Sequence, residues 1–313
     1  MFAIEVKNLK KYYSKGKVKA VDDISFKVPQ GARFGFLGPN GAGKTTTIRC
    51  IMGFLHIYDG EIYIQGEKIT PVYDVKYRNN IGYLPGELGL YKSMNAMDLF
   101  QHFMKLYDMK INWHYVKELA VRLELNLERK LGELSKGNRQ KVGVISALMG
   151  KFDLLIMDEP TSGLDPLMQR EFYEIVKERQ EESKCTVFLS SHILPEVENF
   201  CDRVAIIRHG KIIEVSSVQD LKDKSLKEIE LDFTSNKAMK KFQVLLEKEY
   251  PIANVKYSLG AHLLFTAPPK ETRELLSVIS DTKWNGEYIR DFTIKHSSLE
   301  NIFMQYYRGG EKE

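Results

Sequence analysis

A short apolar run, Ala32 to Leu37, leads into Gly38-Pro39-Asn40-Gly41-Ala42-Gly43-Lys44-Thr45, and a segment of helical character follows from Thr45 to Phe54. This GxxxxGK[ST] pattern between a strand and a helix leaves little freedom in the fold. Its glycines let backbone amides close around phosphate oxygens, and the start of the helix adds the positive end of its dipole. Lys44 would neutralise the β and γ phosphates of a nucleotide, and the Thr45 hydroxyl would coordinate magnesium.

The flanking pattern fits an α/β sheet. Strands are expected at Phe2 to Leu9, Ala20 to Val28, Glu61 to Ile64 and Ile81 to Leu84. From Met94 to about Leu125 the period turns helical, with Leu99, Phe103, Leu106 and Tyr107 on one face. Further strands are expected at Leu154 to Met157, Thr186 to Leu189 and Val204 to Ile207, with a helix from Pro166 to Glu181. Strands mostly separated by helices, with an inserted helical block, predict a largely parallel sheet and a helical subdomain.

Leu154-Leu155-Ile156-Met157-Asp158-Glu159 reads as a buried strand ending in two acids. In open α/β sheets the carboxyl ends of strands bind ligands. Asp158 would hold magnesium, and Glu159 would orient or deprotonate the water that attacks the γ phosphate.

Leu134-Ser135-Lys136-Gly137-Asn138-Arg139-Gln140 resembles the signature motif of ABC ATPases, commonly Leu-Ser-Gly-Gly-Gln. Ser135 and Gly137 match it, whereas Lys136 and Asn138 depart from its commonest form. Like the motif, the segment precedes the acid-ending strand and leads a helix. The resemblance covers residues 1 to about 217 and implies a P-loop NTPase of the ABC type, with its helical subdomain at about 87–150. It implies ATP and Mg2+ as ligands, nucleotide contacts from Gly38 through Thr45 and on to Thr46, and metal contacts from Thr45 and Asp158. Ser135, Lys136, Gly137 and Asn138 would face the γ phosphate held by a second copy. Ser162-Gly163-Leu164-Asp165 resembles the D-loop that crosses the dimer interface, and His192 sits where the switch histidine belongs. Lys44, Glu159 and His192 are thereby the expected catalytic residues. Tyr13 lies where the family stacks an aromatic on adenine, with Tyr12 as the alternative.

One motif departs. The family has a glutamine after the strand corresponding to Ile81 to Pro85, which touches magnesium and senses the permease. Here Gly86 and then Glu87 stand there. Either Glu87 or water would replace the lost ligand.

After about Val218 the character changes. Strand, helix, strand, strand, helix, strand are expected at Ile229 to Phe233, Ala238 to Glu249, Ala253 to Tyr257, His262 to Thr266, Lys270 to Ser280 and Glu287 to Phe292. This βαββαβ order is the split βαβ arrangement of ferredoxin-like domains. A small C-terminal α+β domain is thus expected over 218–313. Ser297-Ser298-Leu299-Glu300 reads as a capping box, and Leu299, Ile302, Phe303 and Tyr306 form an apolar stripe, either packing or partner-binding. Ser298-Leu299-Glu300-Asn301-Ile302-Phe303 is similar to the C-terminal extension of bacterial ABC exporter ATPases related to antibiotic resistance and bacteriocin immunity. The extension either regulates, dimerises or only packs.

Composition excludes several classes. The 46 Lys and Arg against 42 acids leave a net charge of only +4, so no nucleic-acid partner is expected. No run approaches the roughly 18 apolar residues of a membrane span. Cys50, Cys185 and Cys201 lack disulfide or metal spacing and fit a reducing compartment, with Cys50 either inert or oxidation-sensitive. The expected protein is a cytoplasmic ATPase subunit, held at the inner face of the membrane by an integral-membrane permease and working as a homodimer in export. The alternatives are a soluble ABC ATPase acting on ribosomes or DNA, and a nucleotide switch not coupled to transport.

Overall fold

Residues 1–296 are described in the computed structural model, apart from 90, 107–109, 225, 252, 282–283 and 285–287. The chain divides into two units, Met1–Ser216 and Ser217–Glu313. The expected capping box and apolar stripe from Ser297 onward, and Tyr107, lie outside the described residues.

The first unit opens with β1 (Phe2–Tyr13), β2 (Val18–Pro29) and β3 (Arg33–Leu37), followed by α1 (Lys44–Ile51). β4 (Asp59–Ile64), β5 (Glu67–Ile69) and β6 (Ile81–Leu84) come next, then α2 (Ala96–Leu106), α3 (Trp113–Arg122) and α4 (Lys136–Leu148). β7 (Leu154–Asp158), α5 (Pro166–Ser183), β8 (Thr186–Ser191), α6 (Leu194–Phe200), β9 (Arg203–Arg208) and β10 (Lys211–Ser217) complete the series.

Two sheets form, where one largely parallel sheet was expected. One has the order β10-β9-β3-β8-β7-β6 and is parallel from β9 to β6, while β2-β1-β4-β5 make a separate antiparallel sheet. The difference follows from connection length. Only a few residues join β1 to β2 and β4 to β5, too few for the crossover a parallel pair needs. β7 is buried at all five positions, as a strand covered on both faces must be. Phe26 of the antiparallel sheet packs among Phe34, Phe36 and Phe188 of the parallel sheet, with ring centroids 5.3–6.1 Å apart. Ile48, Cys50 and Ile51 of α1 join the same core.

Register decides what meets at the end of the sheet. Leu37 pairs with Ser191, Asp158 with Ser190, and Leu84 with Met157, all in parallel. The loops after β3, β6, β7 and β8 therefore leave the same edge together.

The single helical stretch expected from Met94 to Leu125 is two helices. Asn112 breaks it, its Oδ1 accepting from His114 N and Tyr115 N to cap α3. The expected apolar face of α2 also divides: Leu99 is buried, but Leu106 is 62% exposed.

The second unit carries α7 (Val218–Lys224), β11 (Lys227–Phe233), α8 (Asn236–Glu249), β12 (Asn254–Leu259), β13 (His262–Ala267), α9 (Pro269–Ser280) and β14 (Ile289–His296). Its strands lie in the order β12-β13-β11-β14, every pair antiparallel. Phe242, Leu246, Leu275 and Ile279 of the helices are buried with Ile229, Leu231, Phe233, Leu263 and Phe265 of the sheet. This core is separate from that of the first unit.

Candidate functional site

The loop after β3 is shaped by glycine. Gly43, the N-cap of α1, has φ +109°, a backbone conformation that side chains resist, and it offers no capping side chain to the first amides of the helix. A Cβ on Gly38 would lie 2.4 Å from the Ile207 carbonyl oxygen, so the loop runs directly against β9. Lys44 curls back over it and is buried, its Nζ donating to Gly38 O at 2.6 Å and Pro39 O at 3.1 Å. Thr45 and Thr46 follow, both half-buried. Amides open at a helix start, together with a buried ammonium, fit an anionic phosphate chain.

Opposite this loop, Asp158 ends β7 and Glu159 follows it. Asp158 is buried, and its Oδ1 accepts from Ser190 Oγ at 2.6 Å. Ser190 Oγ in turn accepts from Glu159 N at 3.0 Å. Glu159 has φ +49°, a strained position for a residue with a side chain. Its carboxylate reaches the two other expected catalytic residues at once: Lys44 Nζ lies 3.0 Å from Oε1, and His192 Nδ1 lies 2.7 Å from Oε2. His192 is 46% exposed, free to meet a ligand from the solvent side. The register of three parallel strands thus gathers Lys44, Asp158, Glu159 and His192, which the chain scatters over some 150 residues.

The missing glutamine can be located. A Cβ on Gly86 would point at Asp158 Oδ2, 3.1 Å away, so residue 86 is the one aimed at the acid. Glu87, one of the two alternatives for the lost ligand, is exposed, which favours water as the replacement. An Asp158 carboxylate with one oxygen turned toward Gly86, and the Thr45 hydroxyl, are oxygen donors of the kind magnesium takes alongside substrate phosphates. Among the described residues no cluster of three or more His, Cys, Asp or Glu could hold a metal by itself.

The signature segment and the D-loop form a second group. Ser135 caps α4, its Oγ accepting from Asn138 N at 3.2 Å, and it is exposed. Gly137 faces Gly163 so closely that a Cβ would lie 2.6 Å from the Gly163 carbonyl oxygen. Lys136 Nζ donates to Ser162 Oγ at 3.2 Å. Leu164 is buried, and Asp165 caps α5 through Leu167 N and Met168 N with Pro166 next in line. Gln140 links the two groups, its Nε2 donating to Pro160 O at 2.8 Å.

Tyr13 is 38% exposed beside Lys11, whereas Tyr12 is already engaged. The Tyr12 hydroxyl donates to Asp22 at 2.6 Å, a bond that pushes its pKa up to about 12, and its ring lies 4.7 Å from that of Tyr58. The Tyr13 ring carries the Lys11 ammonium 5.1 Å from its centroid. Cys50 is buried, and burial pushes its thiol up to about 12, so the oxidation-sensitive alternative is set aside.

Ser190 lies outside every motif, and Gln140, though it closes the signature segment, makes a contact that the motif does not state. Ser190 gave one signal, a hydroxyl closing an apolar strand run, but only register shows that it faces Asp158. A cavity of about 550 Å³ adjoins the Gly86 segment, lined by Phe54, Tyr83, Pro85, Leu88, Phe103 and Leu106. It explains the exposed half of the α2 apolar face. Among the described residues no helix is long and apolar enough to cross a membrane.

The sequence profile described as ABC transporter matches residues 21–162. An uncharacterized ABC transporter ATP-binding protein of Methanocaldococcus jannaschii, MJ1023, is 39% identical over 227 residues, covering 70% of this chain and 79% of that protein. The bacitracin transport ATP-binding protein BcrA of Bacillus licheniformis is 32% identical over 310 residues, 98% of each chain. A solved structure described as the ATP binding subunit of an ABC transporter superposes with a TM-score of 0.62 at 29% identity, covering 70% of this chain and 92% of that one.

Proposed function

The chain belongs to the ABC transporter family as an ATP-binding subunit, and on that premise we propose that two copies close on two ATP molecules and drive a separate membrane permease. The observation that carries this reading is the position of Ser135. It stands exposed at the start of α4, and its hydroxyl accepts one bond from Asn138 N and keeps its own hydrogen to donate. A helix start with such a donor suits the γ phosphate of a nucleotide held by the other copy.

Within each copy the Gly38–Thr46 segment cradles the phosphates. Lys44 exchanges Gly38 O and Glu159 for phosphate oxygens. Glu159 takes the proton of the attacking water, and His192, already hydrogen-bonded to Glu159, meets the γ phosphate. Magnesium held by Asp158 and Thr45 would neutralise charge on the β and γ phosphates, with water in place of a side chain at residue 86. Ser162 to Asp165 lie at the face between copies, since they pack beside the signature segment.

Tyr13 stacks on adenine. Tyr13→Ala is expected to weaken ATP binding about tenfold, because base–aromatic stacking is worth about 1–3 kcal/mol. Titration calorimetry giving an unchanged Kd would remove Tyr13 from this role.

The cavity beside Gly86 receives an apolar segment of the permease, which keeps the subunit at the inner face of the membrane. The match to the bacitracin transport protein runs through the C-terminal unit as well as the cassette; the division of the chain after Ser216 supports 1–217 as the ATPase domain and 218–313 as an accessory domain, and we propose export as the direction.

Ser135→Arg tests the composite site. The variant is expected to bind ATP as a monomer and to form no ATP-dependent dimer on sedimentation. An ATP-loaded dimer as abundant as the unaltered chain's would defeat the two-copy reading. Purification from solubilised membranes without any membrane-spanning partner would defeat the transporter reading separately.

A further inference from the structure

One buried carboxylate has no part in the steps above. Glu196, in the first turn of α6, is 9% exposed. Its Oε1 accepts from Thr161 Oγ1 at 2.8 Å, and its Oε2 accepts from Ser191 Oγ at 2.9 Å. Both hydroxyls belong to segments of the site. Thr161 lies between Glu159 and the Ser162–Asp165 loop, and Ser191 directly precedes His192.

A glutamate in this helix position commonly reaches back to the N–H of the residue before the helix. Here Ser191 Oγ accepts from Ile193 N at 2.9 Å, and Glu196 turns inward instead. Burying a carboxylate is unfavourable unless hydrogen bonds satisfy it, and an apolar side chain would seat α6 against the sheet without that cost. The Tyr173 hydroxyl is buried nearby. Burial first, and then the Glu196 charge, raise its pKa.

We infer that Glu196 is a positioning residue, a brace between Thr161 and Ser191 that sets the separation of Glu159 and His192 and ties it to the position of the D-loop. It touches no reacting atom. Through it, movement of Ser162–Asp165 at the face between copies would be passed to His192 by two hydrogen bonds. The inference rests on the proposed role of His192 at the γ phosphate.

The test compares Glu196→Ala in the full chain and in a His192→Ala background, with kcat for ATP and Kd for a non-hydrolysable ATP analogue. In the unaltered background kcat is expected to fall about tenfold or more, as misplacement of a catalytic group by a fraction of an ångström does. Analogue affinity is expected to stay within about twofold, since no nucleotide-binding group is lost. In the His192→Ala background Glu196→Ala is expected to lower kcat no further. A residue that merely holds the fold would lower kcat by the same factor in both backgrounds, and that result overturns the brace alone. Loss of analogue affinity in step with kcat overturns it too. Thr161→Val, which keeps the shape and removes one arm, is read by the same criteria should Glu196→Ala fail to fold. His192→Ala with undiminished turnover overturns the histidine assignment, and the brace falls with it.

Discussion

Glu159→Gln is expected to lower ATP turnover by about 10²–10⁴, the usual contribution of a positioned general base. The amide keeps the shape of the side chain. Its oxygen can still face Lys44, 3.0 Å away in the carboxylate form, and its NH2 can still face His192 Nδ1 at 2.7 Å. What it loses is the capacity to accept a proton from water. Nucleotide binding should therefore survive while its consumption stops, and ATP-bound dimer should accumulate. The dimer is favoured by mass action, because a ligand that binds one state draws the equilibrium toward it. Sedimentation with saturating ATP and magnesium would show a dimer that disperses when nucleotide is removed. A Glu159→Gln chain that stays monomeric under those conditions would refute the composite site. Turnover close to that of the unaltered chain would remove Glu159 as the base.

Lys44→Ala acts one step earlier. The buried ammonium now spans Gly38 O, Pro39 O and Glu159, so it stands where the loop and the Glu159 carboxylate meet. A charge-assisted hydrogen bond is worth about 1.5–3 kcal/mol, which corresponds to a loss of roughly tenfold to a hundredfold in ATP affinity. Turnover at saturating ATP is expected to fall by a further 10²–10³ or so, the cost of removing a donor aimed at developing charge. Calorimetry separates the two effects, because affinity is read without chemistry. Unchanged steady-state hydrolysis would exclude Lys44 from the assigned role. The two substitutions also differ in kind: Glu159→Gln should trap a dimer, and Lys44→Ala should prevent one.

Much of the candidate site was legible because its parts are local. Gly38 to Thr45 needs consecutive residues, since neighbouring amides must converge on one phosphate. Asp165 followed by Pro166 favours a helix start through a side-chain cap and a preset φ. The contacts of Ser190, Gln140 and Glu196 were not legible. Each is an ordinary polar residue, and its partner is 32, 20 or 35 residues away, brought near only by strand register or helix packing. The choice between Glu87 and water stays open in the sequence for a related reason: residues 86 and 87 lie in a bend, and nothing local says which of them points at Asp158. The helical block was read as one stretch because apolar spacing continued past Asn112, whose capping role depends on the turn it makes.

By itself the sequence determined the chemistry of each piece: a phosphate loop, an acid-ending strand, the segment that leads a helix at Ser135 and a C-terminal unit of its own. Those depend on short-range sterics and hydrogen bonding, which the chain carries wherever it lies. Only the tertiary structure decided which pieces share a site. Parallel pairing of β3, β7 and β8 brings Lys44, Glu159 and His192 within hydrogen-bonding distance, and close packing of Gly137 on Gly163 sets the signature segment beside the D-loop. Register and packing are properties of the whole sheet, settled by burial of the apolar faces, and no segment states them alone.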